Sequence, residues 1–195
     1  CVLARRLGYV GAGTVEFLVD LDRGDAAFLE VNTRIQVEHP VTEMVTGVDI
    51  VREQLRIADG QRLSFEQDDV VISGHAIECR INAEDADRDF VPSPGTITRW
   101  SPPTGDHVRI DTHVHEGHTV PPYYYSLLAK LVVSGRDRTE ALGRMRHALD
   151  TFEVGGVATT VELHGRVLAH PDVRADAVDT RWLESTFLTA RAATA

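Results

Sequence analysis

The most informative part of the sequence is Phe28–Glu43, which reads Phe-Leu-Glu-Val-Asn-Thr-Arg-Ile-Gln-Val-Glu-His-Pro-Val-Thr-Glu. We predict an extended strand that ends at His39 and Pro40, and side chains along a strand alternate between its two faces. One face would be polar at every position, with Glu30, Asn32, Arg34, Gln36 and Glu38. The other would be mostly β-branched and suited to a buried sheet face, with Val31, Thr33, Ile35 and Val37.

The polar row combines two carboxylates, a guanidinium and two carboxamides. Carboxylate and carboxamide oxygens suit a hard cation, and a guanidinium suits a planar oxyanion. The pattern therefore indicates a site that holds a cation at one end and an anion in its middle. An amphipathic edge strand, kept soluble by Arg34 and the two glutamates, is the alternative that the same alternation allows.

A β-hairpin is predicted just before this stretch. Residues 14–21 alternate in polarity, residues 22–25 read Asp-Arg-Gly-Asp as a turn, and residues 26–32 form the return strand. This pairing places Glu16 roughly opposite Glu30, where the two carboxylates repel each other unless a positive charge lies between them. An Mg²⁺ ion shared with nucleotide phosphates would supply that charge. In a different register, each glutamate would face water.

One helix is predicted after the strand, from Thr42 to about Ala58, because apolar residues recur there at intervals of three and four. The acidic residues Glu43, Asp49 and Glu53 are expected on its surface. Residues 61–70 are polar and acidic, and we place a domain boundary within them.

The second half of the chain is predicted to contain several strands followed by helices. A strand over residues 75–81 would carry Arg80 on its polar face, where a salt bridge to Glu78 or Glu84 is the plain structural interpretation. Further strands are predicted near residues 96–100, 108–111 and 127–133, and helices after Asp137, over residues 159–168 and around Trp182. The alanine-rich tail from Thr189 is expected to fray.

Composition excludes some partners. The formal net charge is −10 and the pI is near 5.3, which disfavours nucleic acid and anionic membranes. Cys1 and Cys79 form no CxxC pair or disulfide framework, so we expect a reducing cytoplasm. No apolar run approaches the length of a membrane span.

Four motifs together resemble the biotin carboxylase family: Gly-Thr-Val-Glu-Phe around Glu16, the stretch 28–43, Gly-His-Ala-Ile-Glu-Cys-Arg-Ile-Asn-Ala-Glu-Asp over residues 74–85, and Pro-Ser-Pro-Gly at residues 92–95. The resemblance covers essentially the whole chain. It implies an α+β fold in which residues 1–66 are the C-terminal part of an ATP-grasp domain and residues 67–195 are the biotin carboxylase C-terminal domain, a mixed sheet with helices. It also implies that the chain begins partway through the ATP-grasp fold, and we expect such a fragment to be inactive alone.

The resemblance assigns roles to individual residues. It implies that Mg²⁺ (or Mn²⁺) is held by Glu16, Glu30 and Asn32, and that ATP is contacted by Glu16, Leu18 and Glu30. The bicarbonate pocket is implied for Arg34, Gln36 and the backbone of Val37. The implied catalytic residues are Glu38 as the base that deprotonates bicarbonate, Arg80 as the group that stabilises the biotin anion, and Arg34.

The implied activity is the ATP-dependent carboxylation of biotin by bicarbonate, through carboxyphosphate, as one component of an acyl-CoA carboxylase (such as the acetyl-CoA carboxylase of fatty acid biosynthesis) or of a pyruvate carboxylase. Implied partners are a biotin carboxyl carrier protein or domain, a carboxyltransferase component and a second copy of the full-length enzyme. Two alternatives stay open: another ATP-grasp ligase, of the carbamoyl-phosphate-forming type, and a non-catalytic interaction domain that keeps the fold. Tyr125 departs from the family pattern, which commonly has Asp at this position.

Overall fold

The computed structural model describes residues 2–189. Their contacts divide the chain between Ser73 and Gly74 into two compact units. The predicted domain boundary between residues 66 and 67 stays a prediction. The tail after Thr189, which we expected to fray, lies outside the described residues.

The first unit contains a short helix, a β-hairpin, two further helices and a 3₁₀ turn: α1 Val2–Leu7, β1 Thr14–Asp20, β2 Asp25–Asn32, α2 His39–Thr46, α3 Ile50–Ala58 and the turn Gln67–Asp69. The strands β1 and β2 pair antiparallel, as the alternation predicted. Gly24 adopts a φ of 68° in the turn between them, in the left-handed region that glycine enters without strain.

The strand predicted from Phe28 as far as His39 and Pro40 was wrong beyond Asn32, where β2 ends. Residues 33–38 form a loop, so the placement of Arg34, Gln36, Val37 and Glu38 on the two faces of a strand is also wrong. The cause is the pairing partner: β1 begins at Thr14, which lies opposite Asn32, and no strand among residues 2–189 continues the ladder past that point. Alternating polarity alone does not reveal where a partner stops.

The single helix predicted over residues 42–58 is two helices. Gly47 ends α2 with a φ of 72°, and the side chain of Asp49 accepts a hydrogen bond from the backbone N–H of Arg52 at 2.8 Å, which caps α3. The first helix begins at His39, earlier than predicted, because Pro40 lies in its first turn, where a missing N–H does no harm.

Two of the predicted surface charges are buried. Glu43 accepts a hydrogen bond from the N–H of Ile50 at 2.7 Å and so links α2 to α3. Glu53 accepts hydrogen bonds from the backbone N–H and hydroxyl of Ser64, at 3.0 and 2.6 Å. These bonds from Ser64 hold the pKa of Glu53 below its ordinary value.

The second unit is built from nine strands and three helices within the described residues. Its strands are β3 His75–Asn82, β4 Glu84–Asp85, β5 Val91–Pro92, β6 Gly95–Thr96, β7 Arg99–Ser101, β8 Val108–Thr112, β9 Thr119–Val120, β10 Leu127–Gly135 and β11 Glu153–Gly155. Its helices are α4 Arg138–Asp150, α5 Val161–Ala169 and α6 Pro171–Arg174, followed by a π-helical turn over Leu183–Leu188. The mixture of helices and antiparallel sheets confirms the predicted α+β class.

A three-stranded sheet in the order β3–β10–β8 organises this unit. Alternate residues of β3 and β10 point into a core that also takes side chains from α4 and α5, with Ile81, Leu131, Met145 and Leu163 among its buried members. The helix predicted after Asp137 is α4, and Asp137 caps it, because its side chain accepts a hydrogen bond from the N–H of Glu140 at 2.8 Å. The opposite face of the sheet carries Arg80.

Candidate functional site

The hairpin brings Glu16 and Glu30 directly opposite each other, which confirms the predicted register. The ladder shifts by one residue immediately after this pair, so that Phe17 lies opposite Phe28 instead of Leu29. Because a β-bulge increases the local twist, the two glutamates lie at a distorted point of the hairpin. Their side chains share one face, as directly paired residues do.

The carboxamide of Asn32 lies between the two glutamates. Its Nδ2 donates hydrogen bonds to Oε1 of Glu16 at 2.8 Å and to Oε1 of Glu30 at 2.9 Å. The positive end of the amide dipole therefore occupies the position between two like charges. A cation would meet the same two carboxylate oxygens there.

The loop after β2 adds two more side chains to this group. Gln36 donates from Nε2 to Oε1 of Glu16 at 2.7 Å, and Arg34 donates from Nη2 to Oδ1 of Asn32 at 3.2 Å. Arg34 also donates from Nη1 to the carbonyl oxygen of Ile35 at 3.1 Å. We call the five side chains joined by these bonds the polar cluster: Glu16, Glu30, Asn32, Arg34 and Gln36.

The remaining predicted residues of the first unit lie near the cluster in sequence. Leu18 is exposed in β1, on the same face as Glu16. Val37 and Glu38 are exposed at the end of the loop, and Glu38 is the residue that precedes α2. The roles expected for these three residues stay predictions.

Arg80 belongs to the second unit, where it is exposed in β3. It pairs with Lys130 of β10, and Lys130 pairs in turn with Asp111 of β8, so the three residues form a row across one face of the sheet. Lys130 Nζ lies 3.4 Å from Oδ2 of Asp111, and Arg109 binds the same carboxylate through Nε and Nη2 at 2.7 and 2.9 Å. The face around Arg80 thus carries the positive side chains of Lys130 and Arg109 together with the carboxylates of Asp111 and Glu78.

Sequence reasoning missed the residues that surround Arg80. Burial alone would raise the pKa of Asp111, but the hydrogen bonds and charges of Arg109 and Lys130 outweigh it and lower that pKa. The alternation of Arg109 and Asp111 along a short strand was a usable signal. Their position on the far side of Lys130 from Arg80 follows only from the strand order.

The polar cluster fits a hard cation by its chemistry. Within residues 2–189, no group of three or more His, Cys, Asp and Glu side chains could hold a metal ion. The cluster contains two carboxylates and two carboxamides, of which Glu16, Glu30 and Asn32 are the predicted ligands, and their oxygen atoms are of the kind that Mg²⁺ prefers. A half-turn of the Asn32 carboxamide would replace its N–H donors with Oδ1 and complete a set of three oxygen ligands.

The sequence matches the models of two known protein families. Residues 78–185 match the family model "Biotin carboxylase C-terminal domain", and residues 1–66 match "Carbamoyl-phosphate synthase L chain, ATP binding domain". The chain belongs to the biotin carboxylase family. The resemblance noted in the sequence is confirmed.

Individual relatives agree with this result. The chain is 53% identical over 181 residues to the biotin carboxylase of Nostoc sp. and 49% identical over 181 residues to a pyruvate carboxylase subunit from Methanothermobacter thermautotrophicus, and each alignment covers 93% of this chain. It covers only 40% and 36% of those two relatives. The chain therefore spans well under half the length of the curated relatives that it matches.

The fold also matches that of a solved structure. The biotin carboxylase domain dimer of the Hydrogenobacter thermophilus 2-oxoglutarate carboxylase, in complex with MgADP, ADP and bicarbonate, matches with a TM-score of 0.90 and 49% identity. The match covers 93% of this chain and 40% of that one. The predicted assignment to an ATP-grasp fragment and a biotin carboxylase C-terminal domain is confirmed.

Proposed function

We propose that this chain is part of an enzyme that uses ATP to activate bicarbonate and then carboxylates biotin. The observation that carries the proposal is the polar cluster on the hairpin, in a chain whose family is biotin carboxylase. Within a few residues, the cluster combines oxygen ligands for a cation with N–H donors for an anion. The reaction requires both, because a metal-bound nucleotide and a bicarbonate ion must bind next to each other.

Glu16, Glu30 and Asn32 would hold Mg²⁺ (or Mn²⁺), with Leu18 beside the nucleotide. The metal would neutralise charge on the phosphate oxygens of ATP. The carboxylates of this chain would fix its position, and the bulge after Glu16 would hold them on one face of the hairpin. The position of Asn32 Nδ2 supports this metal site, because the atom lies between two carboxylates, where a positive group is needed.

Arg34, Gln36 and the backbone of Val37 would bind bicarbonate. A guanidinium has five N–H donors in a rigid plane, so the bonds from Arg34 to Asn32 and Ile35 leave donors for a planar oxyanion. Gln36 donates to the same oxygen of Glu16 that Asn32 contacts. When a cation binds that oxygen of Glu16, the amide of Gln36 is released and can donate to bicarbonate.

Glu38 and Arg80 would act at successive steps. Glu38 accepts the proton of bicarbonate as a bicarbonate oxygen attacks the terminal phosphate of ATP, which yields carboxyphosphate and ADP. Carboxyphosphate then divides into CO₂ and phosphate, and the phosphate accepts the proton of the ureido nitrogen of biotin. Arg80 stabilises the negative charge on the ureido group until that nitrogen attacks CO₂. A fixed positive group at a developing charge is typically worth about 10²–10³ in rate.

We also propose the assembly and setting of the full-length protein. A biotin carboxyl carrier protein or domain, a carboxyltransferase component and a second copy of the enzyme would be its partners, and the cytoplasm its location. The acceptor would be an acyl-CoA or pyruvate. Within residues 2–189, no helix is both long and apolar enough to cross a bilayer.

One observation favours a second function. Residues 1–66 match a family model named for carbamoyl-phosphate synthase, which suits another ATP-grasp ligase. The match of residues 78–185 to the biotin carboxylase C-terminal domain, which contains Arg80, weighs against it. A non-catalytic domain that keeps the fold has no such observation in its favour.

The test compares two variants in the full-length protein that carries this chain, Glu38→Gln and Arg80→Gln. Bicarbonate-dependent ATP cleavage and biotin carboxylation are measured side by side. We expect Glu38→Gln to abolish both activities, because the first step needs the base. We expect Arg80→Gln to reduce carboxylation about 10²–10³-fold more than ATP cleavage.

The matched control is the exposed ion pair between Arg99 and Glu153, whose Nε and Oε2 atoms lie 2.9 Å apart. Such a surface pair is worth at most about 1 kcal/mol, so Arg99→Gln and Glu153→Gln are expected to leave both activities unchanged. Equal losses of the two activities in Arg80→Gln, or no loss in Glu38→Gln, would contradict the proposed roles.

A further inference from the structure

The strand that carries Arg80 lies at the edge of its sheet. β10 pairs with one side of β3, and no strand within residues 2–189 pairs with the other side. The outward-facing backbone groups at an open edge need other partners. At Arg80 and Asn82, side chains at the start of α5 provide them.

Thr160 makes three hydrogen bonds to this edge. Its Oγ1 donates to the carbonyl oxygen of Arg80 at 3.0 Å and accepts from the N–H of Asn82 at 3.0 Å. Its own backbone N–H donates to the carbonyl oxygen of Asn82 at 3.1 Å. Thr160 is only 4% exposed, so water does not readily replace these bonds.

His164 binds the same carbonyl oxygen of Arg80. It lies four residues after Thr160, which places both side chains on one face of the helix. Its Nε2 is 2.8 Å from that oxygen, and because a carbonyl oxygen only accepts, Nε2 carries the proton. Burial lowers the pKa of His164, although its bond to Arg80 opposes the change, so the imidazole is neutral at pH 7.

We infer that Thr160 and His164 are positioning residues for Arg80, an inference that rests on the proposed function of Arg80. The carbonyl of Arg80 faces the open edge, where these two side chains hold it, and the residues on either side of Arg80, Cys79 and Ile81, lie opposite Leu131 and Ala129 of β10. The long arginine side chain converts a small rotation of its backbone into a large displacement of the guanidinium. A misplacement of about 1 Å at a reacting centre can cost roughly 10²-fold in rate.

The test uses paired variants of the full-length protein that carries this chain. Thr160→Val and His164→Leu remove the donors, whereas Thr160→Ser and His164→Gln keep a hydroxyl and an N–H donor. We expect the ratio of biotin carboxylation to bicarbonate-dependent ATP cleavage to fall about 10-fold or more in the first pair. The second pair is expected to stay near the ratio of the unchanged protein.

The control is Thr151→Val. The Thr151 hydroxyl also donates to backbone carbonyl oxygens, but to those of His147 and Ala148 in α4 rather than to that of Arg80. It is expected to leave the ratio unchanged. Melting temperatures are measured for every variant. If Thr160→Val does not fold, His164→Leu and His164→Gln decide the test by themselves.

Arg80→Gln separates the two levels of the proposal. If it uncouples the activities while Thr160→Val and His164→Leu lower only the melting temperature, the positioning role is overturned and the proposed function stands. If Arg80→Gln itself keeps the normal ratio, the role of Arg80 and the positioning role both fail.

Discussion

Replacing Asn32 with aspartate would put a third carboxylate against Glu16 and Glu30. The amide nitrogen of Asn32 now lies 2.8 and 2.9 Å from their oxygens. Two unit charges about 4 Å apart interact with about 1 kcal/mol in a water-like medium and about 4 kcal/mol near a protein surface. Glu30 is exposed and Glu16 half-buried, so we expect a total destabilisation of about 2 to 5 kcal/mol in the absence of a cation.

A bound divalent cation should reverse this effect. Three carboxylates attract Mg²⁺ more strongly than two carboxylates and an amide, and a ligand at 100 times its Kd stabilises the folded state by about 2.7 kcal/mol. The assay is hydrogen exchange of residues 14–32 by mass spectrometry, in EDTA and in MgCl₂. Because 1.4 kcal/mol corresponds to a factor of ten, Asn32→Asp should exchange roughly 30-fold or more faster in EDTA, and Mg²⁺ should restore much of the protection.

The chain offers a matched control in its other asparagine. Asn82 also donates to a glutamate, from Nδ2 to Oε1 of Glu84 at 3.3 Å, but it lies outside the proposed metal site. We expect exchange of residues 75–85 in Asn82→Asp to show no Mg²⁺-dependent recovery. The reasoning fails if the hairpin of Asn32→Asp is as protected in EDTA as the unchanged hairpin. It also fails if Mg²⁺ restores protection equally in both variants.

Two further predictions follow from pKa shifts in the second unit. Burial, together with the charge of the neighbouring Glu78, raises the pKa of Cys79 to about 12, so in a Cys1→Ser background a thiol reagent at pH 8 should label Cys79 only on unfolding. Rapid labelling of the folded protein would refute this. Because burial lowers the pKa of His164 in the folded state, the unfolded state binds more protons below about pH 6.5, and stability should fall as the pH falls through and below that value. Melting temperatures from pH 8 to pH 5 should therefore fall less in His164→Gln than in the unchanged protein, and parallel curves would show that His164 does not contribute.

The sequence predicted the hairpin well because its information is local. Polar and apolar residues alternate on both sides of a turn with a glycine, and those two facts set the pairing of Glu16 with Glu30. The α+β class came instead from the resemblance to the biotin carboxylase family, which rests on four motifs of the sequence. The one-residue shift after Glu16 was not predicted, although an extra residue interrupts the alternation and Phe28 and Leu29 stand there as adjacent apolar residues.

The loop over residues 33–38 could not be predicted from its own pattern. Its residues alternate in polarity as those of a strand do. Only the position of Thr14, the first residue of β1, opposite Asn32 shows that the loop has no partner strand. The burial of Glu43 and Glu53 was missed for a similar reason. Each carboxylate is satisfied by a group that lies seven or eleven residues further along the chain, and sequence periodicity carries no information about such bonds.

The predicted site residues are held in place by different physical means. In the polar cluster, side chains bind side chains, and the loop that carries Arg34 and Gln36 has no sheet to hold it. Arg80 is held through its backbone, by a neighbouring strand and by Thr160. The geometry of the cluster should therefore change with the charge between its carboxylates. The position of the Arg80 backbone should persist until the second unit unfolds. A cation would organise the first step of the proposed reaction, and the fold would organise the second.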